Sequence, residues 1–284
     1  ETSWSQPTDA GGWQQMASFA GLRCPWLFVT VSTSWLAPTT GQWPSGHYVK
    51  NVGHVMMMKG EMSLLLMHLR NASSFFEFGT GTSTVYVAMK FPKLQVQAVE
   101  LDEQWAGQVQ TNLDHRQLPA TVSHVNIGPT EAFAFPVTNT SLCRLERWRV
   151  WQIYQGHYTL AKNCTAKDVS TVSRRDQWPS FSEQILTRRP KGGLWDVILV
   201  DSRFRVACAL KSFLHLHLSA AEHQRPLRGV VLVHDFVERR PYQEILRFGE
   251  LQQRSFNLAV FIPRPLQHLE ELRQAIRRYE YLPP

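Results

Sequence analysis

No stretch of this 284-residue chain approaches the about 18–20 unbroken apolar residues that a helix needs to cross a bilayer. The longest apolar windows, around 197–200 and 230–233, are strand-sized. Cysteine is scarce. Cys24, Cys143, Cys164 and Cys208 form no CxxC pair, which argues against a structural zinc site and against a disulfide scaffold. No internal repeat or low-complexity run is visible, and 16 Gly and 16 Pro are too few for a collagen-like or disordered chain. With 43% hydrophobic and 19% charged residues, the composition is that of a globular protein, at a length that allows one large α/β domain or two small ones.

The 30 Lys and Arg exceed the 23 Asp and Glu, for a formal charge of +7. Ten of the basic residues lie within 144–191, opposed only by Glu146, Asp168, Asp176 and Glu183, so that window carries +6 and the rest is nearly neutral. A surplus so placed points to an anionic partner of one segment rather than to a property of the whole surface. Trp148, Trp151, Tyr154, Tyr158 and Trp178 are interleaved with it, a mixture that suits sugar rings bearing negative groups. It would also suit nucleic acid, but no recognised nucleic-acid module is present, so that partner is disfavoured. Three N-x-S/T sequons, at Asn71, Asn139 and Asn163, tilt the compartment toward a secretory, Golgi-like lumen or the cell exterior over the cytoplasm. In an oxidising compartment Cys143 and Cys164 could pair. The chain begins at Glu1 rather than Met, in keeping with a removed leader or tag.

Residues 1–55 read as an extension packing on the core, with Trp4, Trp13, Trp26, Trp35 and Trp43 as apolar anchors. From there to 284 the pattern alternates. Helices are predicted over 56–70, 82–91, 102–113, 206–218, 241–252 and 266–281, and strands over 74–78, 94–100, 120–126, 195–200, 229–233 and 256–262. The stretch 137–192 reads as a basic, aromatic insertion. Apolar strands alternating with helices imply an α/β domain with a doubly wound, mostly parallel sheet and helices on both faces. Ligands of such sheets bind beyond the carboxyl ends of the strands. The polar residues that follow each strand are therefore the candidates.

The first of them surround Glu77-Phe78-Gly79-Thr80-Gly81-Thr82-Ser83-Thr84. Glycine is wanted where a strand turns sharply into a helix and the backbone must approach a ligand. Glu100 ends the next strand 19 residues past Gly81, where a carboxylate can accept hydrogen bonds from both hydroxyls of an adenosine ribose. That spacing supports a nucleoside cofactor without separating a nicotinamide dinucleotide from S-adenosylmethionine. Two details favour the latter. Thr84 stands where a third dinucleotide glycine would fall, and Glu77 would repel phosphates but could meet a cationic ligand.

The segments 77–84, 99–105 (Val-Glu-Leu-Asp-Glu-Gln-Trp) and 196–201 (Asp-Val-Ile-Leu-Val-Asp) resemble the successive motifs of class I, Rossmann-like S-adenosylmethionine-dependent methyltransferases. Ile127-Gly128-Pro129-Thr130 and residues 201–210 narrow the likeness to a subgroup similar to the glucuronoxylan 4-O-methyltransferases, which act on polysaccharides. The resemblance covers about 57–262. It implies that Gly79 and Gly81 line the methionine part of the cofactor, that Glu100 holds the ribose, and that residues near Gly128 approach the adenine. With Glu77 and Ser83 of the same turn, these form the candidate cofactor set.

Transfer to an alcohol needs a base beside the sulfonium. Asp201 is placed for that base or for a divalent metal, and His234 and Asp235 at the next strand end could help with either. Arg203 and Arg205 would grip an oxoanion on the acceptor bidentately, or else pair with Glu131, Asp235 or Glu238. Cys208 reads as a core thiol. The expectation is a methyltransferase acting on a hydroxyl of an acidic acceptor such as a uronic-acid or sulfated glycan. Two alternatives stay open: a non-catalytic polyanion-binding protein on the same fold, and a nicotinamide-dependent enzyme.

Overall fold

The computed structural model describes residues 48–49, 53–131, 134–137, 174–237, 239–265 and 269–282. The chain divides into two compact units, Glu1–Gly41 and Gln42–Pro284. The first unit, with four of the five anchoring tryptophans, lies outside the described residues, as do Cys143, Cys164, Asn139 and Asn163.

The second unit is built on seven strands: β1 (Ser74–Phe78), β2 (Gln95–Glu100), β3 (Ala120–His124), β4 (Val197–Val200), β5 (Val230–Val233), β6 (Gly249–Ser255) and β7 (Leu258–Pro263). Their order across the sheet is β3-β2-β1-β4-β5-β7-β6. The first five run parallel, and β7 is antiparallel to both of its neighbours. Burial on both faces explains the continuous apolar strands: all five residues of β1 and all four of β4 are buried.

Helices α1 (Lys59–Leu69), α2 (Thr82–Lys90) and α3 (Glu103–His115) supply Leu65, Val85 and Val109 to one side, against Phe75, Val96 and Leu199. On the other side α4 (Pro179–Thr187), α5 (Arg205–Glu222) and α7 (Leu269–Tyr279) bring Phe181, Phe213 and Ile276 onto Phe76, Phe78 and Val200. Among the described residues no helix is long and apolar enough to cross a membrane.

Two expectations need correction. The predicted helix over 241–252 is a short 3-10 turn, Arg240–Glu244, then the four-residue α6 (Ile245–Phe248), and then β6. β6 is an edge strand whose side chains are almost all exposed, so it has no period-2 apolar signal; the backbone ladder to β7 holds it. The second correction concerns 137–192. Trp178, Phe181 and Ile185 are buried in the main core, so its last part is a structural helix rather than an insertion. Arg188, Arg189 and Lys191 follow that helix to the amino-terminal edge of the sheet, where the Lys191 N–H bonds Gln95 at the start of β2. They stand opposite the edge where a ligand is expected.

The parallel register aligns the carboxyl ends. Phe78 pairs with Val99 and with Val200, and Val200 pairs with Val233. Gly79, Glu100, Asp201 and His234 therefore leave the sheet side by side. The ladder runs on into them: Gly79 N–H donates to Val99, Asp201 N–H to Phe78 and His234 N–H to Val200, at 2.8, 2.9 and 3.1 Å.

Candidate functional site

The strand order reverses between β1 and β4, and the loops leaving these two strands touch. Gly79 has φ +92°, and a Cβ there would lie 2.5 Å from the Asp201 carbonyl oxygen. Only glycine meets both demands, the left-handed conformation and the close approach. At the neighbouring strand end Glu100 takes the next peptide. Its Oε2 accepts the Thr80 N–H at 3.0 Å, while Oε1 accepts the N–H groups of Leu101 and Asp102 at 2.7 and 3.1 Å. Trp105, in the first turn of α3, donates its indole N–H to the Thr80 carbonyl at 2.7 Å, and its ring faces Gly81. The backbone of Thr80 is thus held at both its N–H and its carbonyl. Burial raises Glu100 to about 7 against those three amide hydrogen bonds.

Glu77 lies beneath this turn and is fully buried. Its oxygens accept the hydroxyls of Ser83 and Thr84, each at 2.6 Å, so Ser83 faces inward to a carboxyl group. Burial raises Glu77 to about 8, further than the two hydroxyls lower it, and the charges of Asp201 and Glu100 push the same way. Gly128 has φ +90° and follows Asn126, whose side chain accepts the Gly128 N–H at 2.8 Å in an Asx turn just past β3.

The second half of the site is a charge cluster. Arg205, at the start of α5, is 4% exposed. Its Nη2 donates to Asp201 Oδ1 at 2.9 Å, its Nη1 to Asp235 Oδ2 and to the His234 carbonyl, and its Nε to the Ser202 carbonyl. It takes Asp235, one of the partners foreseen for it, and Asp201 joins. This arginine is turned inward and is not offered to an acceptor. Arg203 is also buried and stacks on Phe135, its guanidinium carbon 4.1 Å from the ring centre. Cys208 is a buried free thiol whose Sγ–H points to the Arg203 carbonyl. The side chains of Glu131 and Glu238 lie outside the described residues.

His234 sits among three carboxylates. Nδ1 is 3.1 Å from Asp201 Oδ1 and 3.5 Å from Asp235 Oδ1, and Nε2 is 3.3 Å from Glu61 Oε2. Burial alone would push the ring down, but these three carboxylates raise it to about 10. Burial likewise opposes ionisation of Asp201, yet His234 and Arg205 hold it well below the usual carboxylate range. The two loops carry strain: Phe204 and Asp235 have φ of +56° and +58°, conformations that bulky residues in particular avoid and that cluster at functional sites.

A divalent metal does not fit these residues. The Arg205 guanidinium already bridges Asp201 and Asp235, filling the place between the carboxylates that a cation would need. Among the described residues no group of three or more His, Cys, Asp or Glu is arranged to hold a metal ion.

Comparison with solved structures fits this architecture. A methyltransferase-like protein from Silicibacter pomeroyi superposes with a TM-score of 0.58 at 24% identity, covering 81% of this chain and 98% of its own. The fold is that of the class I methyltransferases. An O-methyltransferase from Bacillus cereus in complex with SAH matches at TM-score 0.34 and 16% identity, covering 72% of this chain and 80% of its own. One from Streptomyces achromogenes in complex with SAM matches at 0.35 and 15%, covering 72% and 77%. No protein-family model matches the chain, and no curated protein matches it in sequence. The dinucleotide-binding sheet has the order 3-2-1-4-5-6; the methyltransferase fold seen here differs by its reversed β7 between β5 and β6.

Glu61 and Trp105 are the site residues that sequence reasoning missed. A signal existed for the first. Glu61 falls one turn before Leu65, on the face that α1 buries, and a carboxylate on an apolar stripe needs a partner.

Proposed function

We propose that the protein is an S-adenosylmethionine-dependent O-methyltransferase and that its acceptor is an acidic saccharide. The observation that carries the reading is the convergence at the switch point of the Gly79 turn, the Glu100 carboxylate and Asp201 within one register. Thr84, standing where a third dinucleotide glycine would fall, speaks against a pyrophosphate, whereas Glu77, enclosed and largely neutral with a hydroxyl on each oxygen, is not offered to a cationic ligand as its sequence position suggested.

When bound, the cofactor supplies a methyl group on a sulfonium. Glu100 is the group to hold the ribose hydroxyls, and the Gly79–Gly81 turn leaves room for the methionine portion. Asp201 is the residue to orient the acceptor. Its Oδ1 is taken by Arg205 and His234, which leaves Oδ2 to accept the acceptor hydroxyl, and a quarter of the side chain is exposed. Held ionised so firmly, Asp201 aligns the hydroxyl for in-line attack and passes its proton toward solvent rather than keeping it. His234 holds its own proton at neutral pH and serves as a fixed cation, not as a base.

For the acceptor, the support is compositional. Arg144, Arg147, Arg149, Lys162 and Lys167, interleaved with Trp148, Trp151, Tyr154 and Tyr158, enter the chain between β3 and β4. That segment lies outside the described residues. A secretory compartment is proposed on the same footing, with Asn71 exposed in the turn between α1 and β1.

A methyl-transfer screen over uronic-acid-containing and sulfated glycans tests both levels. Transfer to a glycan is expected, and Asp201→Asn should lower turnover by about 10²–10⁴-fold while sparing cofactor affinity. Transfer only to a catechol or a protein would overturn the acceptor. Unchanged turnover in Asp201→Asn would remove the role of that carboxylate.

A further inference from the structure

Glu61 is 2% exposed and stands where three elements meet. It is the third residue of α1 and closes the start of that helix, its Oε2 accepting the Met58 N–H at 2.7 Å. Its Oε1 accepts the Asn257 N–H at 2.9 Å from the two-residue turn between β6 and β7. The same Oε2 lies 3.3 Å from His234 Nε2. One carboxylate thus ties α1, the β6–β7 hairpin and the strand end that carries the cluster.

The ring between Glu61 and Asp201 has a carboxylate oxygen at each nitrogen. A carboxylate only accepts hydrogen bonds, and a neutral imidazole has one N–H. Both contacts are hydrogen bonds only if the ring carries two. The charged groups around it agree. Glu61 faces it from α1, Asp201 from the end of β4 and Asp235 from its own loop; Arg205 on α5 pairs with Asp201 and Asp235 and donates to the His234 carbonyl, and Arg239 pairs with Asp235.

We propose that Glu61 is a positioning residue for methyl transfer: it holds His234 as a doubly protonated ring, which pins Asp201 Oδ1 and leaves Asp201 Oδ2 to the acceptor hydroxyl. The role given to Asp201 rests on the function proposed above; the state of the ring does not. Without Glu61 the ring loses one of its flanking carboxylates, and Asp201 is left with a partner that can turn.

The test is the ring's titration by nitrogen NMR, with His234 assigned by loss of its signals in His234→Gln, on wild type, Glu61→Gln and Glu61→Asp. In wild type both nitrogens should be protonated at neutral pH, with and without S-adenosylhomocysteine. In Glu61→Gln the deprotonation midpoint should fall by about one pH unit or more, and Glu61→Asp should restore most of it. The alkaline limb of kcat should move down in step, with cofactor affinity unchanged. A neutral ring in wild type at neutral pH would overturn the proposal, as would a midpoint unmoved in Glu61→Gln. Should Glu61→Gln fail to fold, wild type and Glu61→Asp decide: a singly protonated ring in either sinks the idea. If the protein proves not to transfer methyl groups, the NMR result still stands or falls by itself, so the two failures are distinguishable.

Discussion

The Glu77 carboxyl group, under the glycine turn with a hydroxyl on each oxygen, is a buried acid kept largely neutral. Burial lifts it from 4.5 to about 8. The stability linked to such a raised group is complete below the unfolded value and is lost as pH climbs through the folded one. The melting temperature should therefore fall from about pH 5 to about pH 9, and Glu77→Gln, which cannot ionise, should flatten part of that fall. Glu100 and His234 are shifted in the same direction, so some decline stays. A Glu77→Gln profile as steep as wild type would contradict the assignment. Asp201, His234 and Asp235 were legible in the sequence because polar residues directly after apolar strands have one place to go in a parallel sheet. The pairing of Asp235 with Arg205 was legible only as one option of two, and that of Asp201 not at all, because sequence spacing does not say which way a guanidinium turns. Glu61 lies 173 residues from its histidine, and no local pattern spans that distance.

At the scale of elements, glycines separate what the fold needs from what it tolerates. Gly79→Ala would set a methyl group against the Asp201 carbonyl at a positive φ and should abolish both cofactor binding and much of the stability, read by thermal melting and calorimetry. Gly107, in α3, has nothing within 4 Å of the place a methyl group would take, and its replacement by Ala should stabilise by about 0.5–1 kcal/mol in denaturant unfolding. The two substitutions should differ in sign, and equal effects would refute the close approach. The parallel strands were readable from sequence because burial on both faces leaves unbroken apolar runs. β6 was not, because an exposed edge strand is held by its backbone and carries no such run. α4 was hidden for another reason: its three buried side chains sit inside a stretch whose basic residues dominate the reading.

For the whole molecule, the charge surplus now divides by place. Arg188, Arg189 and Lys191 belong to the amino-terminal edge, opposite the strand ends that carry Gly79, Glu100 and Asp201, so this part of the basic window does not serve an anionic acceptor there. Among the described residues, both hydrophobic clusters and the charge cluster fall within 42–284. Expressed alone they should fold with a single cooperative transition and keep cofactor affinity within a few-fold; an unfolded or molten product would show that the first 41 residues are part of the core. The central claim, that the switch-point cleft takes S-adenosylmethionine, is tested most directly by calorimetric titration of the purified protein with S-adenosylhomocysteine, with NADH in parallel. The account predicts saturable one-to-one binding of the former and none of the latter. Binding of NADH, or silence toward S-adenosylhomocysteine in a protein shown to be folded, would contradict it.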